Sequence, residues 1–176
     1  MALDVDAIEV RGRWVRHIPA GGDPLYQPAA PGDGRWQRSS VVEGFYLADE
    51  PSTAWAEWYR ALAELGVAPM RQMPRELWRY VVEHPRLADL SGADQLARVG
   101  LAPSVPTRRQ WPAYQAVGEA LWRDGWAGVL GASAARPGRG RVLCLFRTGA
   151  QVPGVTPSPP PEGHDEPPAP PQGLHT

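Results

Sequence analysis

Proline restricts the secondary structure of this chain more than any other residue type, because it fixes the backbone angle φ and has no backbone N–H to donate. Nine of the 21 prolines lie in the last 26 residues, 151–176. We therefore expect this segment to form neither a helix nor a strand ladder and to be a disordered tail. The folded domain is predicted to span residues 1–150. The tail is either passive or a proline-rich docking segment for a partner protein.

Upstream of this tail, strand and helix patterns follow one another irregularly. Runs of β-branched, aromatic and other apolar residues predict strands at residues 8–18, 44–48, 77–83, 127–130 and 142–146. One helix is predicted from Asp49, its N-cap, through Pro51 to about Leu65, and another over residues 112–123. A Gly- and Pro-rich loop, residues 20–38, separates the first two strands, and loops of that length are often functional. Without a regular strand–helix–strand rhythm, the pattern predicts an α+β fold.

The charged residues restrict the partners of the chain. All 18 basic residues are arginine, which excludes a Schiff-base lysine and a phosphate-loop lysine. The tail holds three of the 19 acidic residues, so 18 arginines face 16 acidic residues in the body. This excess is too small for a protein that binds duplex nucleic acid. No apolar run approaches the ~20 residues of a membrane span, and residues 1–6 do not resemble a signal peptide, so we expect a cytoplasmic protein without a membrane partner.

The residues that usually mark metal and nucleotide sites are few. Cys144 is alone, and His17 and His84, the histidines of the body, lack metal-ligand spacing, so no metal is predicted. The glycines at residues 32–34 are not followed by the third glycine of a dinucleotide fingerprint. Residues 131–135 end in alanine where a nucleophile elbow needs glycine. A Ser133–His17 pair stays open from the sequence alone.

Arg35, Tyr46 and Glu57, three residues of different chemistry, are spaced eleven positions apart in the sequence. The neighbours of Glu57 in the predicted helix are mostly alanine and tryptophan. A carboxylate in such surroundings must be paired, solvated at a cleft or shifted in pKa. Glu57 is therefore either a surface residue that pairs with Arg60 or a functional carboxylate.

Several short segments, taken in order, resemble the RES domain family. In the first half these are residues 14–17 (Trp-Val-Arg-His), 34–36 (Gly-Arg-Trp), 45–49 (Phe-Tyr-Leu-Ala-Asp) and 54–57 (Ala-Trp-Ala-Glu). In the second half they are residues 87–90, 114–118, 128–133 and 142–146. The resemblance covers about residues 9–147. Where the family commonly has glycine and asparagine around Gly-Arg-Trp, this chain has Asp33 and Gln37.

The resemblance implies a fold similar to ADP-ribosyltransferases, with a central mixed β core flanked by helices. It implies a bacterial toxin that cleaves the nicotinamide–ribose bond of NAD⁺ by hydrolysis or phosphorolysis, with NAD⁺ as substrate rather than as a resident cofactor. A cognate antitoxin, expected to be a small DNA-binding protein with an Xre-like helix-turn-helix, would restrain it. The sequence leaves open whether the chain forms a homo-oligomer. Two alternatives stay open: an enzyme that transfers ADP-ribose to a protein, and an inactive RES scaffold that acts as a binding module.

The resemblance also assigns site residues. It implies that the catalytic residues are Arg35, Glu57 and Ser133. It implies substrate contacts for Arg16, His17, Trp36 and Tyr46. In this hypothesis Glu57 stabilises an oxocarbenium-like transition state or holds a ribose hydroxyl. The two arginines hold pyrophosphate, Tyr46 stacks on nicotinamide, and Ser133 hydrogen-bonds the nicotinamide amide or the ribose.

Overall fold

The computed structural model describes residues 3–26, 28–102 and 106–176. Its strands are β1 (Asp6–Pro19), β2 (Glu43–Ala48), β3 (Arg75–Leu90), β4 (Gly128–Ala132), β5 (Arg141–Arg147) and β6 (Val155–His164). Its α-helices are α1 (Pro51–Leu65), α2 (Ala93–Arg98) and α3 (Trp111–Arg123). Short 3-10 helices occupy Pro69–Gln72 and Arg108–Gln110.

The strands close into a barrel. β1 and β3 pair antiparallel over almost their whole length, from Asp6 opposite Asp89 to Pro19 opposite Arg75. The ring is completed in the order β1–β2–β5–β4–β3. Among the described pairs only β3–β4 is parallel. The prediction of an α+β fold with a central mixed β core flanked by helices is confirmed.

Both faces of the central strands are buried, which explains why they read as continuous apolar runs. One cluster takes residues from every strand of the ring and fills the barrel, among them Trp14, Phe45, Tyr80, Leu130 and Leu143. A second cluster joins the outer face to α2 and α3, with Trp36, Ala88, Leu121, Val129 and Phe146. The rigid barrel thus supports helices on its outside, and α1 packs against β1 and β2.

Helix α1 differs from its prediction by one residue at its start. Glu50, not Asp49, is the N-cap residue, while Asp49 accepts the backbone N–H of Arg141 through Oδ2 at 3.0 Å. Pro51 begins the helix, where its missing N–H leaves no bond unmade. Gly66 ends it in the left-handed conformation at φ 64°.

The prediction of a wholly disordered tail after residue 150 is wrong. β6 (Val155–His164) pairs antiparallel with β3 along a sheet edge. Ser158 lies opposite Arg79 and Glu162 opposite Leu77, so prolines 159–161 lie in an irregularity of the ladder. An edge strand with a bulge tolerates prolines because they need not donate ladder bonds there. Beyond β6, residues 165–176 carry no helix or strand.

Helix α3 fixes the end of the long loop that carries Arg35. Gln115 Nε2 donates to the Gly34 carbonyl at 2.9 Å. Glu119, fully buried, accepts both Nε and Nη2 of Arg38 at 2.6 Å. Between them a Cβ on Gly118 would lie 1.9 Å from the Trp36 carbonyl oxygen. Residues 34–38 therefore lie in direct contact with the backbone of α3.

This close approach predicts that Gly118→Ala destabilises the protein. The added methyl group must displace the Trp36 backbone, and overpacking of this kind costs about 1–3 kcal/mol. We expect the free energy of unfolding in urea to fall by about that amount. Gly149→Ala is the matched control, since a Cβ there meets nothing within 4 Å. Equal stability of the two variants would contradict the prediction.

Candidate active site

A cavity of about 400 Å³ opens between α1, β1, β2 and the end of the long loop. Five of the predicted site residues lie on its wall: Arg16, His17, Arg35, Tyr46 and Glu57. They come from three strand or loop segments and one helix. A volume of this size is typical of small-molecule sites.

Glu57 is held in place through one of its own carboxylate oxygens. Its Oε1 accepts the Ser133 hydroxyl at 2.6 Å and the backbone N–H groups of Ala134 and Ala135 at 2.9 and 3.2 Å. No donor among the described residues contacts Oε2, although Glu57 lines the cavity. The alternative in which Glu57 pairs with Arg60 is not formed, because Arg60 bonds Glu64 and backbone carbonyls instead.

Ser133 supports Glu57 and does not line the main cavity. Its hydroxyl donates to Glu57 and accepts the Arg136 N–H at 3.0 Å, and the residue is 2% exposed. The hydroxyl hydrogen is thus committed to the carboxylate, and the Ser133–His17 pair is not formed. Ser133 orients Glu57, and it borders a smaller cavity of about 150 Å³ next to the main one.

Arg35 stands between the two cavities and lines both. Its Nη2 donates to the Ala132 carbonyl at 2.9 Å, and its guanidinium lies 5.0 Å from the centre of the Trp36 ring. A Cβ on Gly131 would come within 2.8 Å of Nη2, so glycine there makes room for the guanidinium. Trp36 itself is 1% exposed and packs edge-on against Tyr114, outside the main cavity.

Arg16 carries a charge with no acidic partner among the described residues. Its Nη1 donates to the Tyr26 carbonyl at 3.3 Å, and its guanidinium lies 4.4 Å from the centre of the Phe45 ring. Burial, with the nearby charges of Arg147 and Arg75, lowers its pKa to about 10, so it stays protonated at neutral pH. An anion in the cavity would find an unneutralised guanidinium.

His17 forms a fixed part of the wall. Its Nδ1 accepts Arg75 Nε at 2.8 Å, and its Nε2 faces the Ala54 carbonyl at 3.3 Å. The ring stacks on Trp55 with 4.3 Å between centroids. Burial and then the Arg75 charge lower its pKa to about 3, so it is neutral. Both ring nitrogens are hydrogen-bonded within the protein, so His17 has no free polar atom for a ligand.

Tyr46 is fixed by its hydroxyl. It donates to Gln37 Oε1 at 2.8 Å and accepts the Trp36 N–H at 3.2 Å. Burial raises its pKa well above the ordinary value of a tyrosine, so it is neutral and holds these two bonds. Gln37 thereby orients the ring on the cavity wall.

The sequence prediction missed the part of the cavity farther along α1. Glu64 bridges Arg60 Nε at 3.2 Å and Arg108 Nε at 3.1 Å, and Arg108 lies 5.0 Å from the Trp111 ring centre. All four line the same cavity. The spacing 57, 60, 64 on one helix face could have found the first two. Nothing local could have found Arg108 and Trp111, because they lie on a separate segment, the second 3-10 helix and the first residue of α3.

Comparisons with known proteins agree with this architecture. The sequence profile of the RES domain matches residues 7–164. The chain belongs to the RES domain family. It also superposes on a chain in the crystal structure of the M. tuberculosis MbcT–MbcA toxin–antitoxin complex, with a TM-score of 0.73 and 25% sequence identity. The match covers 90% of this chain and 86% of that chain. No curated protein matches the sequence.

Residues 3–26, 28–102 and 106–176 lack two other kinds of feature. No group of three or more His, Cys, Asp or Glu side chains there is placed to hold a metal ion. No helix there is long and apolar enough to cross a membrane.

The buried, neutral state of His17 predicts a loss of stability in acid. Its pKa is about 3 in the folded protein against 6.5 for an ordinary histidine, so between these values the unfolded chain binds more protons. Stability therefore falls as the pH falls through this window. From pH 7 to pH 5 we expect His17 to lower the free energy of unfolding by about 2 kcal/mol.

Urea denaturation of the wild type and of His17→Gln at the two pH values measures this contribution. The variant should lose about 2 kcal/mol less than the wild type over that interval. Burial also lowers the pKa of His84, which adds the same slope to both proteins and cancels in the difference. Identical pH dependence in the two proteins would refute the assignment to His17.

Proposed function

We propose that this RES-domain protein cleaves the nicotinamide–ribose bond of NAD⁺ and is the toxin of a toxin–antitoxin pair. The observation that carries the proposal is the Glu57 carboxylate, held through Oε1 at the wall of a cavity that also contains Arg16 and Arg35. Membership of the RES family and the likeness to a toxin–antitoxin complex support it.

The chemistry needs a fixed negative charge beside the ribose. As the bond from the ribose C1′ to the pyridinium nitrogen breaks, its electron pair goes to that nitrogen and nicotinamide leaves as a neutral molecule. The sugar becomes oxocarbenium-like, and Oε2 of Glu57 stabilises its positive charge. Three donors hold the other oxygen, so the carboxylate need not reorganise during the reaction. An oxygen of water or phosphate then bonds to C1′, and water in that role releases its proton.

The two guanidinium groups suit the pyrophosphate of the substrate. Each presents a planar fork of N–H donors, which matches phosphate oxygens in a bidentate arrangement. Neither guanidinium group has an acidic partner among the described residues, so both charges are open to an anion. Tyr46, with its hydroxyl fixed by Gln37, offers its ring as a stacking surface for nicotinamide.

Glu57→Gln tests the role of the carboxylate with little structural change. A glutamine oxygen can still accept from Ser133, Ala134 and Ala135, but the negative charge is gone. We expect NAD⁺ consumption to fall at least about 100-fold, the size typical of a lost electrostatic contact in a transition state. The measurement is a time course of NAD⁺ with purified protein, with thermal unfolding as the check of folding.

The products distinguish the related activities. Free ADP-ribose indicates hydrolysis, and a phosphorylated product that forms only with added phosphate indicates phosphorolysis. ADP-ribose on a protein band would favour the transferase alternative. Unchanged NAD⁺ at micromolar wild-type enzyme, or full activity in Glu57→Gln, would overturn the proposal.

The outer part of the cavity suits the adenosine half of the substrate. Glu64 lies seven positions after Glu57 on α1, about 10 Å along the helix axis. A dinucleotide carries its second nucleoside on the far side of the pyrophosphate, away from the bond that breaks. Trp111 and Arg108 offer flat surfaces of the kind on which bases stack. We place adenosine there.

Removal of either surface should affect the cleavage of NAD⁺ but not the cleavage of nicotinamide mononucleotide. Trp111→Ala and Arg108→Ala are each expected to lower kcat/KM for NAD⁺ about tenfold, since one base stack is worth about 1–3 kcal/mol. Nicotinamide mononucleotide, which lacks adenosine, should be cleaved as by the wild type. Arg109→Ala is the matched control, because Arg109 is exposed and does not line the cavity. Equal losses for both substrates would contradict this placement.

A further inference from the structure

The turn that holds Glu57 is itself held through two of its backbone carbonyl groups. The Ala134 carbonyl accepts Arg60 Nη1 at 2.8 Å. The Ala135 carbonyl accepts the backbone N–H of His175 at 2.8 Å. The second donor comes from the end of the chain, a segment that the site described above does not use.

Residues 165–176, here called the C-terminal strap, run from the end of β6 back to this turn. The Tyr59 hydroxyl of α1 donates to the Pro168 carbonyl, and Arg60 Nη1 lies 3.5 Å from the His175 carbonyl. A tight turn closes before His175, with Leu174 N–H donating to the Pro171 carbonyl at 3.2 Å. The strap is thus fastened to α1 before it reaches the turn of residues 133–135.

The composition of the strap suits a fixed element. Four of its residues are proline, at positions 167, 168, 170 and 171. Prolines restrict the unfolded chain, so less conformational entropy is lost when the segment becomes ordered. Gly173 takes φ 75° in the turn, a conformation that residues with a Cβ rarely adopt. The RES profile ends at residue 164, so the strap lies outside the matched region.

We propose that the C-terminal strap and Arg60 are positioning elements for Glu57. Arg60 fixes the Ala134 carbonyl, which shares a peptide group with the Ala135 N–H that donates to Oε1. The strap fixes the Ala135 carbonyl, which shares a peptide group with the Arg136 N–H; that N–H donates to the Ser133 hydroxyl, and the hydroxyl donates to Oε1. Both elements therefore help to point Oε1, and hence Oε2, at the cavity. Without the His175 N–H the Ala135 carbonyl loses its donor and the turn loosens. The strap does not line the cavity, so it should affect the rate of the chemical step rather than substrate binding. Only this kinetic consequence rests on the proposed function.

His175→Pro in the full-length protein removes the N–H donor, and His175→Ala is its matched control because it keeps that donor. Hydrogen–deuterium exchange at the Ala134 and Ala135 amides reports on the turn without any need for activity. We expect exchange about fivefold faster in His175→Pro, the effect of one lost hydrogen bond, and rates near the wild type in His175→Ala. Gly173→Ala, which strains the turn before His175, should act like His175→Pro and is a second route if that variant does not fold.

With NAD⁺ as substrate, the loosened variants should lose about three- to tenfold in kcat with KM within about twofold of the wild type. Wild-type exchange rates at both amides in His175→Pro and Gly173→Ala would overturn the strap proposal. An equal change of KM and kcat would overturn the positioning role. If Glu57→Gln abolishes activity while the strap variants keep it, only the strap proposal fails. If the wild type consumes no NAD⁺, the proposed function fails and amide exchange still decides on the strap.

Discussion

The long antiparallel pairing of β1 with β3 is the constraint from which the rest of the structure follows. It closes the sheet into a barrel, because β3 also pairs with β4 and so connects the two ends of the strand order. Buried side chains fill the interior of this barrel, so a ligand site must lie outside it. The site therefore lies where α1 crosses β1 and β2, with Arg16 on the strand and Glu57 on the helix.

How well the sequence predicted an element depended on whether its partners were local. Helices α1 and α3 were predicted from local signals such as Pro51 in the first turn, which depend on neighbouring residues alone. β6 was missed because its ladder comes from β3, far away in the sequence, and because three of its four prolines, at residues 159–161, fall in an irregular stretch at a sheet edge. Local proline content correctly forbids a regular central strand, but it does not forbid an irregular edge strand.

In the candidate site too, features that depend on local sequence were predicted, and features that depend on distant residues were not. The family resemblance indicated Arg35, Tyr46 and Glu57, and the structure places all three on one cavity. It did not indicate the relation between them: Ser133 holds Glu57, and Gln37 holds Tyr46. Those relations depend on a turn and a loop that come together only when the barrel has closed. Residue types can be predicted from spacing, whereas hydrogen-bond partners across 76 residues of sequence, as for Ser133 and Glu57, cannot.

In this lysine-free chain, Arg60 makes contacts that suit an arginine better than a lysine. This buried side chain donates from Nη1 to the Ala134 carbonyl, from Nη2 to the Pro106 carbonyl and from Nε to Glu64. Three acceptors in different directions suit a planar guanidinium, whose donors are spread over a fork, better than a compact ammonium group. Because the charge of Arg60 is balanced by Glu64 rather than by Glu57, the catalytic carboxylate proposed here is held only by neutral donors. Its negative charge therefore remains available to a cationic sugar.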